Sequence, residues 1–450
     1  MKGLLLAACC GLTAVARAED AERVTPPTFG LPQLVGAQYT FIEQTQSELH
    51  AAYSGPLSLD PSGDSQPTHT LGAYFGWAPL PATQLYLDVE KFMGAGVSDA
   101  TGLAGLTNGD VVREGASGLK KEFYVARAFA RFLLPLTGET REVERNQDEL
   151  AGLEPVRRLE LKVGRLAVTD DFDQNRYAGS ARTQFLNWSL WANTAWDYPA
   201  NTRGYTDGVV VGYVSSSWSL KYGLYKMPEL ANQQTLESHV GLAHGQNIEL
   251  TLNALPGGGV MRVLAYLNAA RMGSYEEALA LARPGMPPDI VTDDREGRHK
   301  HGFGLNLEQP LADDGDTGAF LRWGWNDGEN ETFAFTEVDS VFSTGLQVAG
   351  RRWDRAADRL GVAWVSESLS GPHRRYLAAG GCGFLLCDGG LSYGHEQILE
   401  AYYRLEPHWL RPPGPVRWQL SPDFQYVHNP GYNTARGPVR FWAVRLHLEY

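Results

Sequence analysis

The last ten residues, Phe441-Trp-Ala-Val-Arg-Leu-His-Leu-Glu-Tyr450, alternate without a break. Counting back by two from Tyr450 gives Leu448, Leu446, Val444 and Trp442, whereas the other parity gives Glu449, His447, Arg445, Ala443 and Phe441. Strand side chains point alternately to two faces, so this segment reads as a strand between an apolar and a largely charged environment. The same parity recurs upstream. Leu71, Ala73, Phe75 and Trp77 oppose Thr70, Gly72, Tyr74 and Gly76, while Ile248, Leu250, Leu252 and Ala254 oppose Glu249, Thr251 and Asn253. Phe303, Leu305 and Leu307 oppose Gly304, Asn306 and Glu308 in the same way.

Soluble antiparallel sheets also alternate, so the connections carry the decision. Strands are expected near 34–46, 69–77, 83–92, 122–134, 157–168, 206–214, 216–226, 246–255, 260–270, 301–310, 319–326, 343–350, 358–367, 396–405, 416–426 and 441–450, an even number. Gaps at 78–82, 215, 256–259, 311–318 and 351–357 are mostly short, whereas those at 93–121, 169–205, 227–245, 271–300, 368–395 and 427–440 are long. Short periplasmic turns alternating with long external loops mark a bacterial outer-membrane barrel. Two gaps blur the rule: Thr137 to Val156 is long for a turn, and Tyr213 to Ser217 leaves almost none. The expected fold is therefore all-β, a transmembrane antiparallel β-barrel of about sixteen strands with a water-filled lumen.

Composition agrees. Fifty glycines with 12 Trp, 20 Tyr and 17 Phe favour many strands and turns. Mean hydropathy is −0.29, and the mature chain has no apolar run near the ~18 residues that a helical span needs. A net charge of −13 excludes nucleic acid as a partner, because that binding rests on clustered cations. Residues 1–18 read as a signal peptide: Lys2, an apolar stretch from Leu4 to Ala16, and an Ala16-Arg17-Ala18 cleavage site. A lipoprotein reading at Cys9 would leave too short an apolar stretch before it. Residues 19–33 are then a periplasmic segment and 34–450 one barrel domain. Cleavage leaves only Cys382 and Cys387, which in an exported chain read as a loop-stapling disulfide.

The stretch Val168-Thr-Asp-Asp-Phe-Asp-Gln-Asn-Arg-Tyr-Ala-Gly-Ser-Ala-Arg-Thr-Gln-Phe-Leu-Asn-Trp-Ser-Leu190, followed by Ala195-Trp-Asp-Tyr-Pro-Ala-Asn-Thr-Arg-Gly-Tyr205, resembles the carbohydrate-selective outer-membrane porin family. Tyr53-Ser-Gly-Pro-Leu-Ser-Leu59, Gly102-Leu-Ala-Gly105, Ala378-Ala-Gly-Gly-Cys-Gly-Phe384 and Leu420-Ser-Pro-Asp423 extend the resemblance along the chain. It implies a sixteen-strand barrel through which sugars diffuse. The cysteine pair departs from the family pattern.

Read from its residues, the 169–205 segment is the longest external connection and too polar for a core, so it is expected to fold inward and narrow the lumen. Sugars need flat aromatic faces and planar donors and acceptors. Trp188, Trp196, Asn187, Asp197 and Arg203 are of those types, as are Asp171, Asp173 and Arg176. Alternatively, such Asp and Arg residues pair to hold the loop. Arg127 and Arg131 share a strand face, and Arg262 opposes Met261 and Val263. Lipid exposure of an Arg would cost about 2–4 kcal/mol at mid-membrane, so all three are expected in the lumen, facing Asp88 and Glu90 in a transverse field. The parity of Arg127 with Val125 leaves that strand ambiguous.

Other motifs are weaker. Gly390-Leu-Ser-Tyr-Gly394, with Asp423 and His447 after it, matches a hydrolase elbow but lacks the strand–turn–helix setting. Asp171-x-Asp173-x-Asn175 begins like a calcium loop, yet Arg176 and Arg182 stand where Gly and Glu are required. His299 and His301 have no third ligand in view. No cofactor, metal or catalytic group is expected. The expected function is passive diffusion of carbohydrates; the alternatives are a general ion pore, a polysaccharide exporter, or a secreted β-rich hydrolase or lectin. Expected partners are sugar solutes, outer-membrane lipid, the barrel-assembly machinery that reads a terminal aromatic such as Tyr450, and, in a homo-oligomer, further copies of the chain.

Overall fold

The computed structural model describes residues 32–110, 119–147, 149–334, 336–407 and 416–450. The expected signal peptide, Cys9 and all but the end of the expected 19–33 segment lie outside them. Successive strands pair antiparallel around a closed ring. The first are β1 (Leu34–Gln46), β2 (Asp64–Leu80), β3 (Thr83–Met93) and β4 (Tyr124–Pro135), followed by a small hairpin, β5 (Thr140–Val143) with β6 (Gly152–Pro155). The ring continues through β7 (Arg158–Leu166), β8 (Thr206–Val214), β9 (Trp218–Lys226), β10 (His244–Leu252), β11 (Val260–Met272) and β12 (Arg295–Ala312). It ends with β13 (Thr317–Asn326), β14 (Ser340–Gly350), β15 (Arg355–Ser368), β16 (Glu396–Arg404), β17 (Arg417–His428) and β18 (Val439–Glu449). β18 closes on β1 from Gln38↔Glu449 to Gln46↔Phe441, and β4 pairs with β7 across the hairpin, so sixteen strands form the wall. No described helix is long and apolar enough to cross a membrane.

Parity sets the faces. In β18, Trp442 and Val444 stand outward at 46% and 47% exposure, while Arg445 and His447 point inward and are buried. The ambiguous β4 is settled by a β-bulge: its register with β3 passes from Asp88↔Arg127 to Val89↔Val125, leaving Ala126 as the extra residue. A bulge flips parity, so Val125 faces out while Arg127 and Arg131 face the lumen.

Both exceptional gaps have structural explanations. The Tyr213–Ser217 gap is a three-residue turn in which Ser215 donates from Oγ to the Trp218 carbonyl at 2.7 Å. The Thr137–Val156 gap contains the β5–β6 hairpin.

Candidate functional site

The connection from β7 to β8 folds into the barrel, and its composition explains why. Phe172, Tyr177, Phe185, Leu186, Leu190 and Trp196 are all buried. Phe185 packs edge-on against Tyr402 of β16, 5.0 Å between ring centroids, and against Phe320 of β13. Such aromatic contacts need a dry partner, which the inward residues of β13 to β18 supply. Half of the lumen is thereby filled.

The loop's backbone amides have no sheet partners, and the wall provides acceptors. Glu249 accepts from Asp173 N at 2.8 Å, Glu308 from Arg176 N at 2.7 Å, and Glu400 from Leu186 N and Asn187 N at 2.5 and 2.9 Å. Wall arginines serve the carbonyls. Arg322 spans Asp173 and the Leu190 carbonyl, and Arg445 donates to the Ala181 carbonyl at 2.6 Å. Inside the loop, Asn187 caps the helix Trp188–Trp191, accepting from Ser189 N. Asp197 accepts from Phe333 N and Ala334 N beside the buried Lys300, and Trp196 donates from Nε1 to Asn247 at 2.9 Å.

The other half of the lumen, against β3, β4 and β7 to β11, holds two adjoining cavities. One of about 240 Å³ lies toward the long loops and is lined by Trp188, Trp191, Glu90, Arg182, Arg203 and Tyr205, among others. The second, of about 680 Å³, lies toward the short turns, between Tyr86, Phe129, Arg131, Lys162, Lys221 and Arg262. Arg127, Asp170 and Gln174 line both. At that waist Arg127 grips Asp170 with Nε and Nη2, at 2.6 and 2.7 Å, and reaches Asp88 behind it at 3.3 Å.

Of the residues expected from sequence, Glu90, Arg127, Arg131, Asp171, Asp173, Trp188, Arg203 and Arg262 line one cavity or both. Asp88 backs Arg127, while Asn187, Trp196 and Asp197 sit in the loop's own core, and Arg176 is half-exposed beside Asp316. The expected transverse field is replaced by pairing between neighbours. Arg131 pairs with Glu154 and Glu160, Arg262 with Glu308, and Glu90 with Arg182. Arg203 stacks on Tyr124 at 4.1 Å.

Asp110, Asp170, Arg182, Tyr205, Lys162 and Lys221 also line the cavities and were not among the expected residues. Parity would have found the two lysines, which oppose Leu161 and Leu220. Asp171 receives Lys162 and Lys221 on one oxygen at 2.8 and 2.9 Å. Burial alone would raise the Asp171 carboxyl, but these two ammoniums outweigh it and hold it down at about 2. With Asp173 engaged by Arg322, the calcium-like segment is a salt-bridged loop. No cluster of three or more metal-ligating residues occurs among the described residues. Of the hydrolase-like triple, Asp423 and His447 bond to Gln425 and Thr40, and the Ser392 backbone amide donates to Asn433. Cys382 and Cys387 are joined, their Cα atoms 4.5 Å apart.

The family description that matches residues 81–450 is the carbohydrate-selective porin, OprB family. No curated protein matches the chain. Among solved structures, OprB of Pseudomonas putida aligns with a TM-score of 0.65 at 13% identity, over 92% of this chain and 94% of that one, a likeness of fold. The outer-membrane channel DcaP of Acinetobacter baumannii gives 0.48 at 10% identity, over 93% and 96%. A sixteen-strand barrel with an apolar outside, an inward loop and a family match across most of its length has one assignment: the chain belongs to the carbohydrate-selective porins and forms an outer-membrane channel through which sugars diffuse.

Proposed function

We propose that sugars cross this barrel off its axis, through the two cavities, and that the Arg127–Asp170 waist is where they are selected. The supporting observation is the mixed wall. Cations and carboxylates alternate in pairs around both cavities, with Trp188, Trp191 and Tyr205 above the waist. A polyol both donates and accepts, so it can exchange hydrogen bonds with such pairs step by step, while paired charges offer a small ion little net field. A polysaccharide exporter would instead call for a continuous stripe of one sign.

The waist is built to yield. Asp170 is about one-third exposed, so its pairing with Arg127 is screened and opens at modest cost, on the order of 1 kcal/mol. The upper cavity, about 240 Å³, is small for ligand sites, which commonly span ~300–1,000 Å³, so it suits single sugar units over chains. Liposome swelling with a graded series of sugars tests the reading. Monosaccharides should pass fastest and uptake should fall with chain length; uptake indifferent to size would overturn it.

A further inference from the structure

The β5–β6 hairpin does not hang below the barrel; it is seated inside the mouth at the short-turn end. Glu154 is buried between Arg131 at 2.6 Å and Arg158 at 3.2 Å. Leu150 packs with Leu34 and Tyr86, and its amide donates to the Tyr86 hydroxyl at 3.2 Å. Arg145 donates to the Val35 carbonyl at 2.5 Å, crossing to β1. Two wall glycines make the room: a Cβ at Gly36 would stand 2.9 Å from the Gln147 carbonyl oxygen, and one at Gly76 would stand 3.2 Å from Leu150 Cγ. A turn that only joined two strands would need none of these contacts.

So placed, the hairpin floors the 680 Å³ cavity and adds Arg141, Asn146 and Glu149 to its lining. The rings of Tyr86 and Phe129 lie stacked in the same cavity, 5.0 Å apart and 21° from parallel, with Lys162 over Phe129. An aromatic face ringed by planar and cationic donors and by carboxylate acceptors is what a pyranose needs from a resting place.

We propose that this lower chamber is a second carbohydrate subsite, with Phe129, backed by the buried Tyr86, as its platform and the hairpin as its sill on the periplasmic side. The proposal rests on the off-axis path above. A sugar that has passed the Arg127–Asp170 waist rests on Phe129, exchanges hydroxyl contacts with Arg131 and Glu149, and leaves past the hairpin. Two weak sites in series speed transit, because each step requires only partial release.

Single-channel recording of the full-length porin in planar bilayers tests this, with glucose or maltotriose added on the short-turn side. Phe129→Ala should shorten glucose-induced blocks about threefold to tenfold, the loss expected for one aromatic platform. Replacing residues 138–155 by a short Gly-Ser turn should raise the open conductance and admit maltotriose. Gly36→Val, which displaces the hairpin without cutting the chain, should do the same to a smaller degree. Blocks unchanged in Phe129→Ala, or conductance unchanged in both hairpin variants, would overturn the subsite. Arg127→Ala separates the two failures: if it alters the blocks while Phe129→Ala does not, the path stands and the subsite falls; if neither acts, the path itself is wrong.

Discussion

The two halves of the lumen use the same residue types to opposite ends. Toward β13–β18, wall charges terminate on the 167–205 loop: Glu400 on two backbone amides, Arg322 on Asp173 and a carbonyl, Arg445 on a carbonyl. Toward β3–β11 they pair with opposite charges, on the wall (Arg131 with Glu160, Arg262 with Glu308) or on side chains of the loop (Arg127 with Asp170, Lys162 and Lys221 with Asp171, Glu90 with Arg182), and leave space between. In the first half a charge is a fastener and its loss leaves a buried partner stranded. In the second half it lines a cavity. The contrast teaches that an inward charge in a barrel is assigned by what lies opposite it, loop backbone or water, and not by its sign or its strand.

That distinction can be broken most forcefully at Arg322. It is 1% exposed and holds both the carboxylate and the carbonyl of Asp173. Arg322→Ala strands a buried carboxylate, so a loss of about 3–5 kcal/mol is expected. The thermal transition in detergent should fall, and the open conductance should rise as the loop loosens. A variant as stable and as conductive as the parent would refute the fastener reading. On the other side, Arg127→Ala and Arg203→Ala should cost less stability than Arg322→Ala, because both border a cavity that water enters, while altering sugar uptake severalfold in liposome swelling. Trp188→Ala should alter uptake likewise, because it lines the upper cavity, but with a larger loss of stability, because its ring is buried in the loop core. Equal melting losses on both sides would erase the comparison.

Much of the wall was legible in the sequence, because lipid and water impose a strict period of two. All sixteen strands fall where alternation and gap length put them, with ends shifted by a few residues; β12, for example, runs from Arg295 to Ala312 and not 301–310. The bulge at Ala126 was not legible, since one inserted residue leaves only a parity contradiction. Within the inward loop no period operates. Trp188 and Trp196 look equivalent in the sequence, yet one lines the cavity and the other donates its ring N–H to Asn247. Whether an aromatic meets a sugar or a core depends on which wall the loop rests against, and a single sequence does not encode that locally.

A pH titration sharpens the comparison at the boundary between the halves, where Asp171 sits between Lys162 and Lys221. Its carboxyl is held at about 2, below the ordinary value of 3.8, so its contribution is complete above about pH 4 and disappears as pH falls through 2. The depression corresponds to about 2 kcal/mol. The difference in conductance and in melting between the parent and Asp171→Asn should therefore stay level from pH 7 to about 4 and shrink below it. A difference that did not shrink would assign the anchoring to another group.

The smallest effect on sugar uptake is expected at the Cys382–Cys387 link in the 369–395 loop. A ring this short constrains the unfolded chain little, by about 2 kcal/mol at most, and the segment is held by other means. Glu337 accepts from both Leu385 N and Leu386 N at 2.9 and 2.7 Å, and Gly102 N donates to the Leu385 carbonyl at 2.9 Å. Replacing both cysteines by Ser should thus leave sugar uptake unchanged and lower the melting transition slightly. Glu337→Ala should cost more, because it strips the acceptor from two buried amides, each penalised by about 1–3 kcal/mol. If the cysteine variant proves the more damaging, the external loops are organised by sulfur, and the rule that inward carboxylates fasten loop backbones stops at the barrel rim.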